Sequence, residues 1–469
     1  MPASHKRLFS SVFLASVFFF IFLVMDITPY MRGPVDNILG SRWPYYFVNT
    51  FSRIWEPGLI FAFFLLVFNL VFDKKLNKKW EIIFLSVLVL IIFLLQLGLV
   101  YFSRFGINIL FRRLVDKGIN GYYTTATKEK DNGYYLKDFS KNILEFEQHG
   151  RGHPPGSVLL IRGVNYFFEK NNNITKSIYS KIPTPSKDSI DLWKSLTVNQ
   201  RVAAVVLPFL LHFLAAISII PFYFLAKNLF NQKTAVRAVF PYSIIPSLSF
   251  FALLFDPFYS IFPLTSFIFL VKYLKLKRKL YAFLSGSILG AGLFFSASII
   301  PYFGIFVIYI LFSSPKQIIK TFSYWFFGFL LLFYLPFILF GYDPISSLQA
   351  VVKYQLPREY IPWLLFNPYD FFVFIGIPIS LLFFYTTYKF LRKDNLIKAF
   401  WIVFVLLVFS GISRGEVGRI WLSLMSVPIL IVSQFATNNL NLNKKYFSIL
   451  LFLIFIQVII MEEFWVPIW

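Results

Sequence analysis

Apolar runs of 17–22 residues recur from one end of this chain to the other, separated by short and mostly basic loops. A helix of about 20 residues crosses the roughly 30 Å hydrocarbon core of a bilayer, so the runs predict an all-α, polytopic transmembrane bundle. Spans fall near 9–25, 56–72, 81–103, 202–225, 236–254, 257–273, 282–298, 300–313, 321–340, 371–388, 399–412, 420–434 and 446–461, thirteen in all. The pairs divided at Asp256-Pro257 and at Pro301 can each be one kinked helix or a re-entrant hairpin. Composition agrees: 21% of the 469 residues are aromatic, 63 are Phe and 14% are charged, where a soluble chain carries about 25% charge. The absence of cysteine removes disulfides, thiolate metal sites and cysteine nucleophiles from consideration. Leu8–Met25 is long and lacks a small-residue cleavage site, so it reads as an uncleaved anchor.

The net charge of +23 resembles a nucleic-acid signature, but its placement does not. Lys and Arg gather in short loops between apolar runs and carry orientation instead. If the N-terminus is cytoplasmic, Lys6, Arg7 and the short loops on that side hold 22 Lys+Arg, against 7 in the short loops opposite. That imbalance predicts a cytoplasmic-membrane protein with its N-terminus inside and its C-terminus outside. The long segment 104–201 then lies outside, with "INILFRRLVDKG" and "SVLLIRGVNYFFEK" as interfacial amphipathic helices and "NNNITKSIYSKIPTPSKDS" as a polar linker.

Three outer stretches hold residues able to do chemistry. "EFEQHGRGHPPG" carries Glu147, His149, Arg151 and His153 ahead of a Pro-Pro turn that bars helix at Gly152 and His153 and starts one at Gly156 or Ser157. Its bland reading is a rigid turn with interfacial polar residues; a metal held by the histidine pair lacks a third clear ligand. "LLFDPFY" sets Asp256 between apolar runs, where a carboxylate either serves a simple turn or has a function. "SRGEVGRIWL" places Arg414, Glu416 and Arg419 at the mouth of a span, as an interfacial salt bridge or a grip on a lipid phosphate. The loop "GYDPISSLQAVVKYQLPREYIPWLLFNPYD" reads as an outer flap bringing Lys353 and Arg358, with Tyr360, Trp363 and Tyr369 as interface anchors. His212 reads as a helix-packing histidine.

In this order, "HGRGHPPG", "LAKNLF", "LFDPF", "GYDP", "LLFNPYDFFVFIGIP" and "GEVGRIWL" resemble the bacterial multi-spanning glycosyltransferases of the GT-C superfamily. The resemblance extends to relatives that transfer mannose to protein or aminoarabinose to lipid A. It covers roughly 100–434, inside a module at 81–434, with two extra spans in 1–80 and a last span in 435–469. It implies transfer of a sugar from a polyprenyl-phosphate carrier to a glycan, lipid or protein acceptor outside the cytoplasmic membrane. An outer-loop carboxylate would act as base, and basic residues would hold the departing lipid phosphate. By position, the resemblance implies His149, Arg151, His153 and Pro154-Pro155-Gly156 at the active cleft, lined by Arg414, Glu416 and Arg419. The adjacent acidic pair of better-studied relatives is missing here; the local acids are Asp116, Asp131, Asp138, Glu145 and Glu147, with Asp26 and Asp36 in a different loop and Asp256 a separate catalytic candidate, so the base is unassigned, and a divalent metal is left open too. No nucleotide-binding fingerprint is present, which disfavours a nucleotide-sugar donor. Rival readings are a flippase of lipid-linked sugars, a surface-polysaccharide polymerase or ligase, and a non-catalytic relative. A transporter calls for polar residues near midmembrane, whereas charge here crowds one surface.

Overall fold

In a computed structural model, the chain is described over residues 3–34, 42–46, 51–103, 105–128, 132–183, 189–353 and 358–465. Every regular element among the described residues is helical, with no strand among them. The principal helices in chain order are α1 (Ala3–Met25), α2 (Trp55–Val71), α3 (Lys78–Phe102), α4 (Gly121–Lys128), α5 (Gly156–Lys170), α6 (Val198–Leu229), α7 (Gln232–Ser243) and α8 (Asp256–Leu276). They continue with α9 (Lys279–Leu293), α10 (Ile300–Ser313), α11 (Ile318–Phe340), α12 (Tyr360–Ile375), α13 (Ile377–Phe390), α14 (Asn395–Ser410), α15 (Leu422–Asn438) and α16 (Lys444–Phe464). Among the described residues six helices are long and apolar enough to cross a membrane, or seven if α12 and α13 form one bent span. Five shorter apolar helices accompany them.

Side chains starting or ending these helices are those the backbone needs. Asn77, Asn231, Asp394 and Asn443 accept hydrogen bonds from first-turn N–H groups, and Thr197 with Gln200 forms a complete capping box. Inside α6, His212 Nδ1 lies 2.7 Å from the Pro208 carbonyl, so Nδ1 carries the proton and the histidine serves helix packing. Large apolar side chains face outward, such as Phe18 on α1, Phe327 and Ile338 on α11, and Leu406 and Phe409 on α14. Such a surface needs hydrocarbon around it.

Contacts sort the connections onto two ends of the bundle. At one end, Glu81 Oε1 accepts from Tyr223 Oη at 2.6 Å and Lys227 Nζ at 2.5 Å, Arg237 pairs with Asp73, and Lys277 reaches Gln317. At the other, Gly156 N donates to Phe294 O at 3.0 Å, Phe294 packs on Tyr342, Tyr46 N donates to Phe464 O, and Arg419 pairs with Asp256. One continuous apolar core reaches from Val12 to Trp465.

Several expectations change. Residues 236–254 are not one continuous helix: α7 stops at Ser243, a five-residue helix follows from Pro246, and both are buried inside the protein. Prolines at 241 and 246 remove the N–H groups that would carry the helix on. Asp256-Pro257 opens a helix instead of kinking one, with Pro257 in its first turn. The expected polar linker contains a helix, Asn172–Tyr179. The outer flap is also largely helical, as Pro344–Lys353 and then α12. Between α12 and α13 the axis turns by 110°, at Gly376 with φ 103°. Both helices therefore cannot follow the bilayer normal.

Candidate functional site

The stretch Ser413–Arg419 organises the site. α14 ends on Gly411 in the left-handed conformation, and Gly415 and Glu416 follow at φ 87° and 58°. A left-handed glutamate costs about 1–2 kcal/mol, so something must hold it. Asn367 of α12 does, donating from Nδ2 to Ser413 O at 2.7 Å and accepting from Gly415 N at 3.0 Å. The turn aims Glu416 between two guanidinium groups. Its Oε1 accepts from Arg358 Nη2 at 2.9 Å, and its Oε2 accepts from Arg419 Nε at 3.1 Å and from Arg419 Nη2. Arg419 Nη1 donates in turn to Asp256 Oδ2 at 3.1 Å.

Arg358, Arg419 and Asp256 are buried, and Glu416 nearly so. Burial works against the charge of Arg419, but Glu416 and Asp256 outweigh it and hold its pKa above the ordinary arginine value. Arg358 Nη1 donates to Arg414 O, and Arg414 Nη1 returns a bond to Arg358 O, both at 2.7 Å. Arg414 itself is exposed beside Tyr360. The arginine that the chain presents outward is thus Arg414, with Arg358 and Arg419 fixed behind it.

His153 joins from the Pro-Pro turn. Its ring lies between Tyr122 of α4 and Tyr259 of α8, with centroids 5.5 and 5.9 Å away. Ser157 and Tyr259 share a 2.5 Å hydrogen bond beneath it. Gly156 is required there, because a Cβ would meet the Phe294 carbonyl and the Phe295 ring at 2.7 Å. Burial and then the Arg419 cation push the imidazole down to about 3, so it is neutral near pH 7. Burial, with Tyr259 and Asp256, raises the pKa of Tyr122, which stays protonated. Two buried polar atoms here, Asp256 Oδ1 and His153 Nδ1, have no hydrogen-bond partner.

The structure therefore brings His153, Asp256, Arg358, Glu416 and Arg419 together from four separate stretches, with Arg414 at their edge. Other expected residues bond elsewhere. Glu147 pairs with Lys128 at 2.6 Å, and Asp116 caps Gly118 N at 2.9 Å near Arg112. Arg151 Nε donates to Phe146 O, which makes it a turn-holding residue. Lys353 lies exposed at the end of its helix. His149 is in a short helix, Gln148–Arg151, and its side chain is outside the described residues. Trp363 is not an interface anchor: it is 2% exposed, with the Arg358 guanidinium 5.5 Å over its ring. Arg419 is fully engaged by carboxylates, and its helix, Val417–Ile420, is a single turn, too short to offer a phosphate a helix N-terminus. No cluster of three metal-ligating residues occurs among the described residues.

Sequence reading missed Tyr122, Ser157, Tyr259, Asn367 and Asp370. For Asn367 and Asp370 a signal existed: with Trp363 they sit at i, i+4 and i+7 in "WLLFNPYD", one face of a helix.

No family model matches this chain, and no curated protein does. A solved structure with detectable likeness is the Archaeoglobus fulgidus oligosaccharyltransferase in complex with Zn and sulfate, at TM-score 0.44 and 14% identity. The match covers 80% of this chain and 53% of that one, so the chain aligns with about half of its length.

Proposed function

We propose that this protein is a membrane glycosyltransferase that moves a sugar from a polyprenyl-phosphate carrier to an extracytoplasmic glycan, lipid or protein. The observation that carries the reading is the buried Arg358–Glu416–Arg419–Asp256 chain beside a neutral His153, at the end of the bundle where the long outer segment docks. Asp256 is the base in this reading. Arg419 fixes its Oδ2, and its free Oδ1 takes the proton of an acceptor hydroxyl. The acceptor oxygen then bonds to the anomeric carbon as the bond from that carbon to the phosphate oxygen breaks. The lipid phosphate leaves with the electron pair, toward Arg414, Arg358 and Lys353. His153 and Tyr122 contribute neutral hydrogen-bonding groups. The module spans 81–434, with 104–201 folded over its outer face, in the cytoplasmic membrane with the N-terminus inside.

Mass analysis of surface glycans and polyprenyl-phosphate sugars, with and without the gene, tests this. Deletion should remove one surface sugar and accumulate its lipid-phosphate form, and Asp256→Asn should reproduce the deletion. Identical glycans and carrier pools in all three strains would overturn the reading.

A further inference from the structure

The first two helices lie outside the proposed module at 81–434, yet residues between them reach the stretch that organises the site. α1 packs on α13 and α16, and α2 packs on α3. Between α1 and α2, residues 42–46 fold back on residues 24–33. Trp43 N donates to Arg32 O, and Arg32 Nη1 donates to Trp43 O, both at 2.7 Å. Tyr45 Oη donates to Val24 O at 2.6 Å. Arg32 is itself fixed by a bidentate pair with Asp26, at 2.9 and 3.0 Å. Asp26 sits at φ 44°, a left-handed conformation that aspartate tolerates better than most residues, so it suits this turn. A loop tied in this way aims Trp43 inward. The residue is 8% exposed, and its ring packs on Phe374 of α12 at 5.2 Å between centroids and on Phe251 at 6.3 Å.

Phe374 connects this loop to the site. It lies seven residues after Asn367, so on a helix the two differ by only about 20° in direction and share a face. Asn367 bonds to the Ser413–Gly415 turn, and Phe374 meets the same stretch further on: a Cβ on Gly418 would lie 2.7 Å from its ring. Gly418 is also held by Ser247, whose Oγ donates to Gly418 O. The next residue is Arg419, which donates to Asp256. One line of packed, buried groups thus runs from Trp43 through Phe374 and Gly418 to the guanidinium that orients the carboxylate. When a buried ring is cut back, its neighbours relax partly into the space it leaves. Loss of the Trp43 ring therefore lets Phe374 shift and takes the backing from Gly418.

We propose that Trp43 is a positioning residue for the reaction: it backs Phe374, so that Gly418 and Arg419 stay where Arg419 holds Asp256 Oδ2. The first two helices then complete the catalytic arrangement and are more than a membrane anchor. This rests on the glycosyltransferase reading with Asp256 as base. Trp43 touches no reacting atom, and donor phosphate at Arg414 lies outside the line. A misplacement of about 1 Å, caused by a change far from the chemistry, can slow a reaction about 100-fold.

The test returns full-length variants to a strain lacking the gene, at matched levels of folded protein, and follows the rate of surface-sugar transfer by mass analysis. Binding of undecaprenyl phosphate to each variant in nanodiscs is measured alongside. Trp43→Leu should slow transfer tenfold or more, accumulate the lipid-phosphate sugar, and keep affinity for undecaprenyl phosphate within twofold. Trp43→Phe keeps a ring against Phe374 and should recover most of the rate. Phe9→Leu is the control for stability: Phe9 is buried in the same helix pair but packs on Tyr446, and this variant should transfer at the wild-type rate. Wild-type transfer by Trp43→Leu, a parallel loss of lipid-phosphate affinity, or equal slowing by Phe9→Leu would each overturn the positioning role. If Trp43→Leu does not fold, Asp26→Asn decides, because it loosens Arg32 and the Trp43 backbone without opening the core. Slowed transfer at retained affinity is then expected, and wild-type transfer would overturn the role. Unchanged glycans on deletion of the gene, or no binding of undecaprenyl phosphate by wild type, would instead overturn the glycosyltransferase reading, and this role with it.

Discussion

Arg419 shows what a single residue does here and what its neighbours in sequence conceal. At the mouth of a span it reads as a phosphate ligand, yet it holds Glu416, three residues before it, and Asp256, 163 residues away. That second partner cannot be read from one sequence, because it depends on which helix ends meet. Removing one member of a buried ion pair leaves the others uncompensated, at about 3–5 kcal/mol. Arg419→Ala should therefore fail in stability, seen as a large drop in melting temperature, before any binding assay is possible. Asp256→Asn is the informative variant: Arg419 keeps Glu416, so the fold should hold while transfer slows about 100-fold or more. Wild-type turnover by a folded Asp256→Asn protein would exclude Asp256 as base. His153 makes a separate prediction through pH. Its pKa drops from 6.5 to about 3 on folding, so between those values the unfolded chain binds more protons. Stability from this residue is full above about pH 6.5 and is lost as pH falls toward 3. His153→Gln should flatten the fall of melting temperature over that window, and an unchanged pH profile would show that the imidazole is not buried neutral.

At the scale of elements, the site depends on a turn and the helix that braces it. "SRGE" was readable as a loop end, because glycine beside polar residues favours a left-handed turn. The bracing helix α12 was not, because Pro362 and Pro368 punctuate it and make the stretch resemble a flap. Pro362 lies in the first turn, where its missing N–H costs nothing; Pro368 lies inside and gives up a hydrogen bond that burial of Trp363, Asn367 and Phe371 offsets. The Gly415 position is correspondingly unforgiving. A Cβ there would sit 2.8 Å from the Trp363 ring and crowd Arg358, at a φ of 87° that favours glycine. Gly415→Ala should cost about 1–3 kcal/mol in strain alone, and it should displace Arg358 as well. Melting temperature and transfer rate should fall together, whereas a rate loss at full stability would place the fault in substrate contact rather than in the turn.

For the whole molecule, the apolar runs made the all-α membrane architecture legible, because length and hydropathy are local properties. Depth was less legible: 236–254 reads as a span, yet its two helices are buried among other helices, and burial by protein or by lipid looks alike in a sequence. What the structure adds is that the loops belong to two ends. The end with Glu81, Lys227 and Arg237 gathers the lysine-rich connections, and the end with Asp256, Arg358 and Arg419 gathers the acidic and aromatic ones. Short loops of the first set carry 22 Lys+Arg and those of the second carry 7, an imbalance that supports the proposal of a cytoplasmic first set. Because contacts tie each set together, two positions suffice to orient the molecule. Asn173 and Arg278 are both exposed, one in the long segment and one between α8 and α9. The chain has no native cysteine, so Asn173→Cys and Arg278→Cys each introduce a single label site. A membrane-impermeant maleimide added to intact cells should modify Asn173→Cys, and should modify Arg278→Cys only after the membrane is opened. The reverse pattern would place the Arg358–Asp256 cluster in the cytoplasm and remove the extracytoplasmic donor site. Labelling of both from one side would break the assignment of these loops to opposite ends.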